Sequence, residues 1–281
     1  MNLEKIQSTI DSIHWYHEFD FGNGLKARSK MPDAAYHRQV WSFIERNLDT
    51  VDFSDKTVLD IGCWDGYWSF YAERRGARSV LATDDHSQNW SMSEGVFLAK
   101  DLLKSAVEVN NKVSVYKLEL LDRKFDIIMF LGVYYHLFDP FYALAQIRHC
   151  CHPDSVVLIE GVESTALVPA TSLYNFSDHG CEWMPTREAL EQLIRATYLK
   201  IVSVDSDRRA PSRLPGKRWR LRMMQQVLKD SRPGVREVVS QLGAGPARIF
   251  INCVPFDGES DLHYYRPPFE LHKYDSRFRD E

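Results

Sequence analysis

The sequence lacks the features that would place it in a membrane or in a disulfide framework. No stretch reaches the roughly 18 consecutive apolar residues that a spanning helix needs. The N-terminal MNLEKIQSTIDSIHWYHEF contains no apolar run of the signal-peptide kind. The five cysteines, Cys63, Cys150, Cys151, Cys181 and Cys253, show no disulfide-like spacing. Without an export signal they read as reduced thiols of a cytoplasmic protein. The run HCCH, His149 to His152, fits no structural zinc spacing, because adjacent cysteines chelate one metal poorly, so no metal is expected. A large excess of one charge is also missing. The net charge of −4 gives no reason to expect non-specific attraction to nucleic acid. No internal repeat and no low-complexity tract is present.

What remains is an ordinary globular composition. With 44% hydrophobic residues over 281 positions, the chain can build one large domain or one domain with an added lobe. Residues 1–56 read as a mainly helical N-terminal segment. PDAAYHRQVWSFIERNL carries Val40, Phe43, Ile44 and Leu48 at helical spacing, and WYHEFDFGNGL reads as a short extended piece and a turn. From Thr57 the pattern becomes strands alternating with helices. TVLDIG, SVLAT, VSVYKL, FDIIMFLGV and SVVLIEG give five strands, LKIVSV a sixth and RIFINCVP a seventh. YWSFYAERRG reads as a helix ending at Gly76, FYALAQIRHCC as one ending before Pro153, and another starts near Thr186. Such alternation predicts a Rossmann-like, doubly wound α/β fold, with a seven-stranded, mostly parallel sheet over residues 57–255. A basic insertion over 206–246 precedes the last strand, and residues 256–281 form a tail of undecided structure. Right-handed crossovers bring the strand C-termini to one edge, where ligands bind.

The strongest local signal is VLDIGCWDG, Val58 to Gly66, a strand running into a glycine turn that opens a helix. Glycine allows positive φ and close approach of a ligand, and helix-opening N–H groups then face it. A dinucleotide site wants G-x-G-x-x-G, but here Trp64 replaces the middle glycine and the third is missing. The carboxylate of an amino-acid ligand makes a smaller demand on that space, and Asp60 can accept from an ammonium group. In SVLATDDH, Asp84 and its neighbour Asp85 lie about 20 residues beyond the turn, the usual distance for a ribose-binding acid. The alternative is that Asp84 only caps the next helix.

VLDIGCWDGYWSF followed by LATDD resembles motifs I and II of class I S-adenosyl-L-methionine-dependent methyltransferases. FDIIMFLGVYYHLFDPFYALAQI and LVPATSLYNFSDHGCEWMPTREALEQLI are similar to the bacterial tRNA wobble-uridine methyl- and carboxymethyltransferases and their small-molecule relatives. The likeness runs from about Trp15 to Val204. It implies a methyl donor whose product is S-adenosyl-L-homocysteine. In the carboxymethyl enzymes it implies carboxy-S-adenosylmethionine and a tyrosine matching Tyr135. Trp64–Asp65 in the glycine turn departs from the family pattern. Cofactor contacts are expected from Asp60, Gly62, Cys63, Trp64, Gly66, Asp84, Asp85, Leu118, Glu119, Leu131 and Gly132.

At the end of FDIIMFLGV stand Tyr134, Tyr135 and His136, beside the expected reacting centre. An acceptor hydroxyl or protonated amine must lose a proton, and histidine is matched to that task near neutral pH. His136 is therefore a candidate base or acceptor-positioning group, with Tyr135 shaping the methyl site; alternatively His136 only holds the loop. Acceptor contacts are expected from Tyr16, His17, Tyr36, His37, Tyr134, His179 and Trp183, several of which packing alone would also explain. His14 and Tyr174 lie in the same two stretches.

DRRAPSRLPGKRWRLRMM holds Arg208, Arg209, Arg213, Lys217, Arg218, Arg220 and Arg222 around Trp219. It reads as a solvated surface, a clamp for an acidic small substrate, or an RNA grip. The expectation is a methyltransferase acting on an oxygen, or a nitrogen, of a small molecule, with no membrane partner. The alternative is a tRNA-modifying enzyme using the plain or the carboxylated cofactor. That alternative needs a cation near Tyr135, for which Lys26, Arg28 and Arg248 are available. A third reading is a cofactor-binding subunit without its own catalysis.

Overall fold

A computed structural model describes residues 3–89, 93–165, 169–175, 181–207 and 246–279. His179 and the basic run from Arg208 to Arg222 lie outside them. The apolar, β-branched runs form strands because helices cover the sheet on both faces. They are β3 (Thr57–Ile61), β4 (Ser79–Thr83), β6 (Phe125–Leu131) and β7 (Cys151–Ser164). With β5 (Glu108–Asn110), β10 (Leu199–Asp207) and β11 (Pro246–Pro255) they make a seven-stranded sheet in the order β10-β11-β7-β6-β3-β4-β5. Pairing is parallel from β7 to β5, with Val58 opposite both Val80 and Ile127 and with Ile128 opposite Val157. β11 runs antiparallel between β7 and β10. The order reverses between β3 and β6, which marks the crevice where this class of sheet binds ligands. The ends of β3, β4, β6, β7 and β10 and the start of β11 share that edge.

One apolar cluster lies against α1 (Leu3–Ser12), α2 (Ala34–Leu48), α3 (Tyr67–Arg74) and α4 (Glu94–Leu103), and includes Phe43, Phe70, Val96, Leu158 and Phe250. A second lies against α5 (Pro140–His149) and α6 (Arg187–Ala196), and includes Ile128, Leu144, Ile194 and Ile249. Between α1 and α2 the chain makes a hairpin of β1 (Phe19–Gly22) and β2 (Leu25–Ala27). No helix among the described residues is long and apolar enough to cross a membrane.

Two expectations about elements need correction. The third strand is not VSVYKL but the short edge strand Glu108–Asn110. Val115–Leu121 instead forms 3-10 turns, opened by the Ser114 side chain accepting from Tyr116 N and closed at Asp122 with φ 45°. Val115 and Leu118 are both buried, at a spacing of three that suits such turns better than a strand. The helix after Pro140 ends at His149, and Cys151 already belongs to β7, which runs through Pro153. Within the loop after β7, β8 (Ser172–Tyr174) and β9 (Trp183–Pro185) form a small hairpin that the sequence reading leaves as loop. The tail docks under α5 and α6: Tyr198 donates to Asp275 at 2.6 Å, and the Arg148 guanidinium lies 3.6 Å from the Tyr274 ring centre.

Candidate active site

The turn after β3 is tied to β4 by two bonds, Gly62 N and Cys63 N to the Thr83 carbonyl at 2.9 and 3.0 Å. Gly62 and Gly66 take φ values of 72° and 80°. A methyl group at Gly62 would come within 2.6 Å of the Val133 side chain, so glycine lets the end of β6 close on the turn. Gly132 differs: the nearest atom to a methyl there is the Tyr135 hydroxyl, at 3.7 Å. Below the turn, Asp60 is buried and accepts from Ser69 Oγ at 2.5 Å. Burial pushes its carboxyl up to about 7; Ser69 opposes the shift, and the charges of Asp84 and Asp65 add to it. Burial likewise raises the Cys63 thiol, with Asp84 contributing, so that sulfur stays protonated and unreactive.

At the end of β4, Asp84 is fixed by three donors: Asn89 Nδ2 at 2.8 Å, Asp85 N at 2.8 Å and the Trp64 backbone N–H. Burial raises its carboxyl despite them. Asp85 serves its own turn instead, accepting from Ser87 N and Oγ at 3.1 and 2.6 Å. Leu118 and Leu131 are buried, whereas Glu119 is exposed and donates its backbone N–H to Gln146. Gly132 N donates to the Glu160 carbonyl at 3.0 Å. A half-buried acceptor at Asp84, a buried carboxyl at Asp60 and a positive-φ turn between them match the donors of a sugar and an ammonium group.

Facing this turn is an aromatic wall from the N-terminal segment. Tyr16 lies 6.1 Å from Trp64, 5.1 Å from His37 and 5.8 Å from Trp41, ring centre to ring centre. The His37 Nδ1 and Tyr16 Oη are 3.1 Å apart. Burial pulls the imidazole of His37 below its ordinary value of 6.5 and Arg248 adds to this, so His37 is neutral at pH 7. Burial raises the Tyr16 hydroxyl, Tyr135 adds to this, and Arg248 works against it. His17 stacks on Tyr67 at 4.6 Å. Asp65, in the glycine turn, accepts from the Tyr16 and His17 backbone N–H groups at 3.1 and 2.8 Å and pairs with His17 Nδ1 at 2.7 Å.

The floor at the other end holds a buried ion pair. Arg248 on β11 meets Glu160 on β7 through two bonds of 2.7 Å each. Its guanidinium carbon is 5.3 Å from the centre of the Tyr135 ring, and Tyr36 lies within its electrostatic reach. Of the three cations considered for this place, Lys26 instead forms an exposed pair with Asp20, and Arg28 is exposed. Tyr134 and Trp183 are buried in the second cluster, 5.7 Å apart, and the Tyr134 hydroxyl donates to the Val162 carbonyl. Both therefore support the site from beneath. His136 ends a 3-10 turn at the rim; its side chain is 43% exposed, with Nδ1 3.2 Å from Glu182 Oε2.

The family profile described as a methyltransferase domain matches residues 33–204, more than half of the chain. The chain belongs to the methyltransferase-domain family. Two relatives named tRNA U34 carboxymethyltransferase are similar to it. That of Nautilia profundicola is 30% identical over 151 residues, covering 51% of this chain and 49% of the relative. That of Campylobacter hominis is 31% identical over 157 residues, covering 53% of each. The chain thus spans about half the length of the curated relatives it matches. Among solved structures, the cyclase SpnF superposes with a TM-score of 0.56 at 14% identity, over 90% of this chain and 92% of its own. An O-methyltransferase of a Brevibacillus brevis polyketide multienzyme, in complex with S-adenosyl-L-homocysteine, gives 0.51 at 14% identity, over 78% of this chain and 71% of its own. At such identities the superpositions speak for the fold alone.

Three residues of this site escape sequence reasoning: Asp65, Glu160 and Trp41. Asp65 belongs to the turn motif but looks like a mere departure from it. Glu160 and Arg248 each leave a sign, a single charge inside an apolar strand run, which a strand buried on both faces does not tolerate without a partner. Trp41 falls on the buried stripe of α2 and reads as core.

Proposed function

We propose that this methyltransferase moves the methyl group of S-adenosyl-L-methionine onto an oxygen, or a nitrogen, of a small molecule. The acceptor enters between the N-terminal segment, the 134–139 loop and the hairpin of β8 and β9. Asp84 takes the ribose hydroxyls and Asp60 the ammonium group, across the Gly62 turn. The sulfonium supplies an electrophilic methyl carbon. The chain itself supplies placement, because an in-line approach accounts for much of the acceleration. Tyr16, Tyr36, His37 and Tyr135 form the acceptor wall. Glu182 accepting from Nδ1 of His136 orients the imidazole at the rim, where it takes the acceptor proton or positions its oxygen.

The observation that carries the choice of plain cofactor is the Arg248–Glu160 pair. A carboxylated methyl group needs an unspent positive charge beside Tyr135, and Glu160 offsets the one that is there. The added carboxylate would then be balanced only by the sulfonium that carries it, and would meet the Glu160 charge in a buried pocket, which is costly. The second reading, a carboxymethyltransferase acting on tRNA, is favoured by the names of the relatives and by the presence of Arg248 at Tyr135. Native mass spectrometry of the purified protein separates the two by the adenosyl compound that co-purifies. Transfer of tritiated methyl groups to pooled hydroxylated metabolites and to bulk tRNA then locates the acceptor. Carboxylated cofactor in the protein, with no tritiated methyl reaching the metabolites, would overturn the first reading.

A further inference from the structure

Asp65 does something the methyl-transfer reading leaves unused. Its two oxygens take both backbone N–H groups of Tyr16 and His17 and the His17 imidazole, all within 3.1 Å. These residues are 48 and 49 positions away in the chain. Gly95 on α4 makes room for the junction: a methyl group there would lie 3.3 Å from the Trp15 ring and 3.4 Å from Asp65 Cβ. The preceding residue, Trp64, has its backbone N–H on Asp84 and its carbonyl 3.4 Å from Asn89 Nδ2. The turn is closed by Gly66 N to the Cys63 carbonyl at 2.8 Å. Adjacent residues in a closed turn cannot move independently. Whatever fixes the Trp64 peptide therefore fixes the Asp65 carboxylate.

We propose that Asp65 is a positioning residue that fastens Trp15–His17 to the cofactor turn, so that filling the cofactor site sets the acceptor wall made by Tyr16 and His37. The proposal rests on the reading of that turn as the cofactor site. A ribose on Asp84 holds the Trp64 peptide, Asp65 then holds Tyr16 and His17, and Tyr16 in turn orients His37. By linkage, release of the N-terminal segment weakens cofactor binding to the same degree. The acceptor site is thus completed only after the donor has bound.

The test uses the full chain and S-adenosyl-L-homocysteine, and needs no acceptor. Calorimetry establishes binding, and amide hydrogen exchange is followed at Tyr16 and His17. If opening of the Asp65 contact requires ligand release, exchange there slows by up to about 100-fold at a ligand concentration 100 times Kd. In Asp65→Ala the ligand should no longer slow exchange over residues 13–17, and its affinity should fall. Asp65→Asn, which keeps one acceptor oxygen, should lie between. Amides that open only by global unfolding slow with ligand whatever their contacts. The deciding readout is therefore loss of the ligand effect at Tyr16 and His17 in Asp65→Ala while core amides such as Ile128 keep theirs; a contact that merely stabilises the fold would leave both in place. If Asp65→Ala does not fold, Asp65→Asn and His17→Gln carry the same comparison. Ligand binding with unchanged exchange at Tyr16 and His17 in the wild type overturns the proposal alone. Absence of any binding heat overturns the cofactor reading and the proposal with it.

Discussion

Replacing Asp60 with asparagine should raise the stability of the ligand-free protein at pH 8 and remove its hold on the cofactor. In the unfolded chain this carboxyl ionises near 3.8; in the fold, burial pushes it up to about 7. The penalty for holding it is absent below pH 3.8, grows between 3.8 and about 7, and is constant above. Stability is therefore lost as pH rises through that window. At 1.36 kcal/mol per pK unit, the full penalty is about 4 kcal/mol, of which about 3 kcal/mol accrues between pH 5 and about 7. Asparagine removes the ionisation and keeps an oxygen for Ser69. The variant should thus gain on the wild type by about 3 kcal/mol between pH 5 and pH 8, which for a chain of this size is on the order of 10 °C in Tm. Thermal unfolding of both proteins by circular dichroism, at the two pH values and without ligand, measures this directly. With S-adenosyl-L-homocysteine added, the wild type should gain stability and the variant should not, since the ammonium loses its anion. A Tm difference equal at the two pH values would show that Asp60 does not titrate in this range and would refute the argument.

Asp84→Ala should weaken S-adenosyl-L-homocysteine by about 100-fold or more, the worth of two hydrogen bonds to a charged acceptor at about 1.5–3 kcal/mol each; unchanged affinity in calorimetry would remove Asp84 from the ribose site. Glu160→Gln strands Arg248 as a buried unpaired charge, so a loss of about 3–5 kcal/mol in denaturant unfolding is expected. The same variant should shift preference toward the carboxylated adenosyl compound in competition binding, and no shift would show that Glu160 does not govern the choice. Gly62→Ala combines strain at positive φ with overlap on Val133, so a loss on the order of 3 kcal/mol is expected, and Val133→Ala in the same chain should restore part of the Tm. Once an acceptor is in hand, His136→Gln should lower kcat by about 10²–10⁴-fold and flatten the acid limb of the pH profile if Nε2 takes the proton; a near-wild-type rate leaves it a loop-holding residue.

Much of this fold is written locally. TVLDI, SVLAT and FDIIMFL are apolar over successive residues, which marks strands buried on both faces. The third strand defies such reading. Glu108–Asn110 is three residues long at the sheet edge, none of them fully buried, while the neighbouring VSVYKL has the apolar residues but spends them on 3-10 turns. The site divides the same way. Gly62, Asp60 and Asp84 are legible because strand, turn and acid follow one another at fixed distances. Glu160 and Arg248 meet across 88 positions, and Asp65 meets His17 across 48, so only the folded sheet brings them together. Tyr134 and Trp183 show the opposite difficulty. Sequence proximity to the reacting centre does not say which side of the sheet edge a ring will take, and both turn into the core.

The boundary of the family match divides the chemistry as well as the chain. Residues 33–204 contain the glycine turn, Asp60, Asp84 and the end of β6, the parts that suit a methyl donor. Tyr16, His17 and Arg248 fall outside that range, yet Tyr16 packs against Trp64 and His37, His17 pairs with Asp65, and Arg248 sets a buried cation beside Tyr135. Family membership accordingly speaks for the donor, while the proposed acceptor wall draws on both sides of the boundary, with Tyr36, His37 and Tyr135 inside it and Tyr16 outside. The joint between the halves is Asp65, inside the matched range but bonded to the segment before it. If acceptors differ among chains built on this plan, the differences should concentrate at the positions of Tyr16, His17 and Arg248. Exchanging those three, rather than the residues of the glycine turn, is the way to move this enzyme toward another substrate. A change of acceptor obtained from turn residues alone, with Tyr16, His17 and Arg248 intact, would show that the division is drawn in the wrong place.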